Sequence, residues 1–115
     1  MPLCIPSRAL SSVRVGQAEV VTLCGSIRFA ADHLAAHTRL SLQGHVVLLP
    51  ALPVPGVDLL PTDVQRLAAL HRHKIAMSDR IHVVNPGGYI GATTALEIKY
   101  AEDLGKEVTY EHNNR

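Results

Sequence analysis

The sequence predicts an α/β fold, a mainly parallel sheet covered by helices on both faces, and three observations carry that reading. Short apolar, β-branched runs recur along the chain, each too uniformly apolar to leave one side in water. Segments with helical spacing of apolar residues separate them. Glycine or proline marks most of the junctions. Strands alternating with helices imply right-handed crossovers, which make the sheet parallel and put helices on both sides.

Each element can be justified in order. Residues 1–18 show no sustained period and read as an N-terminal extension, either disordered or clamping a partner subunit. The domain proper is expected over residues 19–115. EVVTLC (19–24), closed by Gly25, is a buried strand. Apolar spacing through Phe29, Ala30, His33, Leu34, His37 and Leu40 predicts a helix over 29–42, ended by Gly44. HVVLL (45–49) is a second strand, stopped by Pro50. The proline-rich stretch 50–61 is a loop over the sheet's edge or mouth. Thr62 or Asp63 can cap a helix running to about Ser78. RIHVVN (80–85) is a third strand and 86–91 a glycine-rich turn. A helix over about 92–104, closed by Gly105, leads to a fourth strand at 107–110.

Bulk properties bound the function. A chain of 115 residues with 47% hydrophobic content fits one domain with one core, built without tryptophan from aliphatic side chains. The formal charge of +1, with no basic cluster, gives no footprint for nucleic acid or an anionic membrane. Cys4 and Cys24 have no CxxC or Cys/His ligand spacing, so neither zinc nor a disulfide framework is expected. No secretory signal or run of ~20 apolar residues is evident. A cytoplasmic protein acting on a small molecule is the expectation.

In sheets of this kind ligands sit beyond the carboxyl ends of the strands, where strand order reverses. That rule selects residues 25–29, 50–60 and 85–94. Gly25-Ser26-Ile27-Arg28 leads from a buried strand into a helix, where free N–H groups and the helix dipole converge. Ser26 adds a hydroxyl and Arg28 a planar charged fork suited to phosphate. An ordinary turn, with Ser26 as N-cap and Arg28 exposed, accounts for the same residues. In NPGGYIGATTALE (85–97) the glycines let a ligand approach the backbone, and Thr93 and Thr94 offer hydroxyls at a helix start. Glu97 leans back toward that helix start and can reach the site's mouth. Taken alone, Thr94 and Glu97 read more simply as a T-x-x-E capping box, although the glycine loop is longer than capping needs. Tyr89 can stack on a base or lid the loop.

His71, His73 and Lys74 fall within one helix. His71 and Lys74 share a face while His73 diverges, which makes H-x-H a poor chelate. Exposed helix polarity is the simplest reading of all three. His33, His37 and His45 show no ligand pattern.

The string VTLCGSIRF, then DRIHVVN, then a glycine-rich turn into a helix reading Thr93-x-x-x-Glu97-Ile98-x-Tyr100-Ala101, resembles the nucleoside 2-deoxyribosyltransferase superfamily. Cys24-Gly25-Ser26-Ile27-Arg28 looks most like the 2'-deoxynucleoside 5'-phosphate N-hydrolases. Residues 73–110 resemble short bacterial and phage relatives, and the likeness spans 19–110. The resemblance implies a flavodoxin-like three-layer sandwich with four or five strands, a homodimer and no cofactor. It also implies cleavage of a (deoxy)nucleoside or nucleoside 5'-monophosphate at its N-glycosidic bond, by hydrolysis or base transfer. Glu97 matches the nucleophile, Ser26 and Arg28 match phosphate ligands, and Thr93 and Thr94 match further contacts. Three departures stand out. His71 occupies the place of a family aspartate, no serine lies near Gly91, and the sequence ends at Arg115 where relatives continue and lend residues across a dimer. The expected site is Glu97 and His71 as catalytic residues, with no metal. Gly25, Ser26, Ile27, Arg28, Asn85, Gly88, Tyr89, Gly91, Thr93 and Thr94 are the expected substrate-binding residues. A nucleotide-binding or sensing module without turnover is the alternative, and NAD cleavage a more distant one.

Overall fold

A computed structural model describes residues 18–112. The extension expected over residues 1–18 lies, Ala18 apart, outside the described residues, as does Cys4. Four strands, β1 (Val20–Cys24), β2 (Val46–Leu48), β3 (Arg80–Val83) and β4 (Glu107–Tyr110), alternate with three α-helices, α1 (Ala30–Leu42), α2 (Pro61–Met77) and α3 (Ala92–Asp103). All three strand pairings are parallel and the order is β2-β1-β3-β4. That is the arrangement of a flavodoxin-like three-layer sandwich. Among the described residues, no helix is long and apolar enough to cross a membrane.

The pleat divides the core into two layers. Val21 and Leu23 of β1 point to one face, where Val84 joins them and Ala36 and Leu40 of α1 cover them. Cys24 points to the other face, with Ile81 and Val83 of β3, and meets Ile75 of α2 and Ala101 of α3. A single residue's step along β1 therefore decides which helices a side chain can touch. Cys24 touches the pair that carries His71 and Glu97.

Polar contacts lock α2 onto β1. The Lys74 carbonyl accepts from the Ser78 hydroxyl at 2.7 Å and from the Thr22 hydroxyl at 3.1 Å, and those two hydroxyls also contact each other. Asp79 follows the helix and pairs with Val20 twice: its N–H donates to the Val20 carbonyl, and its carboxylate accepts from the Val20 N–H at 2.7 Å. Asp79 thus joins helix to strand and belongs to the scaffold.

Element boundaries differ modestly from expectation. α2 begins at Pro61, ahead of Thr62, because Asp63 in the first turn reaches back to accept from the Leu60 N–H at 2.9 Å. β3 stops at Val83, and Asn85 lies beyond it. A short 3-10 turn, Ile27–Phe29, precedes α1. Only part of the polarity expected on α2 reaches solvent. His73 is exposed, but His71 is buried and Lys74 donates to the Leu49 carbonyl at 2.6 Å. The reason is periodicity: His71 lies one turn before Ile75 on the face that meets the sheet.

Candidate functional site

The strand order reverses between β1 and β3, and a cavity of about 450 Å³ opens beside their carboxyl ends. That volume lies within the ~300–1,000 Å³ usual for small-molecule sites. Gly25, Ser26 and Ile27 form one wall, and Tyr89, Gly91, Ala92, Thr93, Thr94 and Glu97 another. His71 and the apolar Val64, Leu67 and Ala68 come from α2, while Pro50, Ala51 and Leu59 come from the proline-rich loop. The loop thus covers the mouth, as its position in the sequence predicts.

Gly25 is where the backbone turns out of the sheet. Its φ is 148°, and a Cβ there would sit 2.4 Å from the Val84 carbonyl oxygen. No other residue can make this turn beside β3 without displacing backbone. Ser26 then caps the 3-10 turn, its hydroxyl accepting from the Arg28 N–H at 3.4 Å. The ordinary-turn reading of Ser26 therefore holds, and the same residue also lines the cavity.

The helix start at α3 differs from the capping-box reading. Gly91 is the N-cap and no side chain caps the helix. Thr94 and Glu97 lie three residues too far along for T-x-x-E capping, and Thr94 is buried. The uncapped first turn, Ala92 to Thr94, forms part of the cavity wall with its N–H groups directed out of the helix end. Such a terminus favours an anion or the oxygens of a sugar.

Glu97 sits one turn further in, with its side chain 18% exposed. Burial pushes its carboxyl up to about 7, and the nearby Cys24 thiol and Arg72 only partly oppose this. His71 Nε2 lies 3.7 Å from Glu97 Oε1 and 3.5 Å from Cys24 Sγ. Burial pulls His71 down to about 4, with further lowering from Lys74 and His33. Between those values both groups are neutral, so the 3.7 Å approach is a contact and not an ion pair. Burial also raises the Cys24 thiol, and Glu97 adds to the effect. A buried neutral histidine is a poor imidazolium acid near neutral pH. What it can supply is a hydrogen bond that orients the carboxylate.

Three expected binding residues do not line the cavity. The Arg28 guanidinium lies over the Tyr89 ring, 4.3 Å from its centroid, and 4.9 Å from that of Phe29. It stands at the rim beside an aromatic pair, Phe29 and Tyr89, in edge contact at 5.9 Å. Asn85 is fully buried, and its amide exchanges two 2.9 Å hydrogen bonds with the His112 backbone. It fastens the segment after β4 to the end of β3. Gly88 belongs to the turn below Tyr89 and contributes no lining.

Cys24, which stands in the quoted motif without a role assigned to it, and the apolar wall are surroundings of the candidate site that the sequence reading does not place there. Strand alternation is the available signal for Cys24, since every second residue of EVVTLC must face α2 and α3. The spacing of Val64, Leu67, Ala68 and His71 marks the wall as one stripe of α2. No protein-family model, curated protein or solved structure matches this chain.

Proposed function

We propose that the protein cleaves the N-glycosidic bond of a (deoxy)nucleoside 5'-monophosphate, with Glu97 as nucleophile. The observation that carries this is the placement of Glu97, a half-buried carboxyl held near 7 at the wall of a nucleotide-sized cavity between two strand-end loops. At neutral pH about half of it is ionised, and that carboxylate is poorly hydrated and free to attack.

The arrangement supports the following chemistry. Glu97 attacks the anomeric carbon as the bond to the base nitrogen breaks, and the bonding electrons leave with the base. Cavity water protonates the departing base, because His71 stays neutral above about pH 4. Water, or an incoming base, then attacks the glycosyl ester and frees Glu97. The apolar side chains of Val64, Leu67 and Ala68 offer a surface for the base, and Tyr89 closes over it. Ser26 and the α3 start suit the 5'-phosphate, with Arg28 at the rim adding charge. Leu70, Met77 and Leu96, each more than half exposed on α2 and α3, are apolar surface open to the homodimer that the resemblance implies.

A nucleotide-binding module without turnover is the second reading. It is favoured by one observation, the neutral His71 where a family aspartate would assist the sugar and base. Base release, followed by chromatography over deoxynucleosides, their 5'-monophosphates, ribonucleotides and NAD, decides between them. The expected outcome is release from monophosphates in preference to nucleosides, abolished in Glu97→Gln. Ligands that raise the melting temperature without any base release would leave the binding module.

A further inference from the structure

The floor of the cavity gathers three side chains of different chemistry from three elements: Cys24 at the end of β1, His71 in α2 and Glu97 in α3. Their donor atoms, one thiol sulfur, one imidazole nitrogen and one carboxylate oxygen, all lie within 4.8 Å of one another. We propose that these three residues form a divalent metal site selective for Zn²⁺, entered from the cavity.

The distances carry the inference. Zinc takes sulfur at about 2.3 Å, imidazole nitrogen at about 2.0–2.1 Å and carboxylate oxygen at about 2.0–2.2 Å, with tetrahedral angles. Those bonds place sulfur and nitrogen about 3.6 Å apart, and nitrogen and oxygen about 3.4 Å apart. The observed separations are 3.5 Å for Cys24 Sγ to His71 Nε2 and 3.7 Å for His71 Nε2 to Glu97 Oε1. Those two separations already match to within a few tenths of an ångström, and the Cys24 sulfur and Glu97 oxygen, within 4.8 Å of each other, close on the ion by drawing toward the roughly 3.6 Å that the same bonds require. The donor set also selects the metal. A thiolate beside an imidazole and one carboxylate suits zinc, whereas magnesium and calcium require oxygen donors.

Burial fixes the ring in place. His71 is 6% exposed, and among the described residues its Nδ1 has no hydrogen-bond partner, so Nε2 carries the ring's contacts. Its other nitrogen is aimed at the sulfur and the carboxylate. Because His71 and Glu97 both line the cavity, a metal held there can take water or a small anion from the cavity side. Binding displaces the Cys24 thiol proton, and the Glu97 proton from whatever fraction still carries it, to solvent and leaves a neutral set of thiolate, carboxylate and divalent ion. Glu97 cannot coordinate zinc and attack a sugar at once. Zinc therefore holds the proposed glycosidase in an inactive form, while the site itself stands whether or not the protein is a glycosidase.

The test uses untagged full-length protein and Co²⁺ as the spectroscopic probe, followed by displacement with Zn²⁺. The expected result is one Co²⁺ per chain, with a thiolate-to-cobalt charge-transfer band and the intense visible bands of four-coordinate cobalt. Cys24→Ser should remove the charge-transfer band, and Cys4→Ser should leave it. Glu97→Gln, which keeps the fold, should weaken binding by more than the roughly 10–100-fold that losing an outer-shell partner costs. No charge-transfer band, or a band that survives Cys24→Ser, would overturn the site. Cobalt binding of unchanged strength in Glu97→Gln would do the same.

Discussion

Glu97→Gln should stabilise the fold above pH 7 by up to about 3 kcal/mol, and the gain should vanish near pH 4. In the folded protein the carboxyl is raised from 4.5 to about 7, so the native state holds its proton more tightly than the unfolded chain does. The stability that Glu97 contributes is therefore greatest below the ordinary value of 4.5. It is lost as pH rises from there to about 7, where the buried group must ionise. At ~1.4 kcal/mol per tenfold change in proton affinity the full penalty is about 3 kcal/mol. Glutamine removes it, a rise in melting temperature on the order of 10 °C for a domain of this size. His71 acts in the opposite sense. Lowered from 6.5 to about 4, it costs stability as pH falls through that window, because folding then requires an imidazolium to shed its proton. His71→Asn should accordingly gain on wild type toward pH 4 and show no pH-dependent gain above pH 7. Denaturant melts of both variants and wild type at pH 4, 5.5 and 7.5 check this, since differences from wild type cancel the other titrating groups. A Glu97→Gln difference that does not change with pH would mean that the carboxyl is not desolvated as described.

The second large effect is Gly25→Ala, expected to destabilise by about 3 kcal/mol or more. The added methyl group would meet the Val84 carbonyl at 2.4 Å, and a φ of 148° is a region that alanine scarcely populates. Neither cost is easily relieved, because Val84 belongs to the backbone leaving β3 and its N–H donates to the Cys24 carbonyl at 2.7 Å. Gly87→Ala is the matched comparison. Its φ is 64° and nothing lies within 4 Å of the point a methyl group would occupy, so only the left-handed conformation opposes it, at about 1 kcal/mol. Urea midpoints for the two variants should differ accordingly.

The fold was legible because each strand is a short apolar run and each helix ends near glycine or a short turn, signals that are local. The three-layer order follows from those alone. The candidate site was legible where the backbone itself is unusual, at Gly25 and in the 86–91 turn, and in the proline-rich loop that lines its mouth. Burial was harder to read. His71 and Lys74 look like surface polarity taken one at a time, and only the Val64, Leu67, Ala68, His71, Ile75 stripe puts His71 against the sheet. Glu97 resembles a capping residue because T-x-x-E is a local pattern, whereas the helix begins three residues earlier at Gly91. Asn85 has the chemistry of a sugar ligand, yet its amide pairs with the His112 backbone across β3 and β4, a contact between residues 27 apart that no local pattern encodes.

If Glu97 is the nucleophile, it becomes covalently attached to the sugar during turnover. The direct measurement is mass spectrometry of the protein after rapid quenching with a 2-fluorinated deoxynucleoside 5'-monophosphate, whose fluorine slows breakdown of the glycosyl ester. Free base released in step with a sugar-phosphate mass increment, mapped to the peptide bearing Glu97 and absent in Glu97→Gln, is the result expected. Base release with no adduct, or with the increment on any other residue, would contradict the assignment.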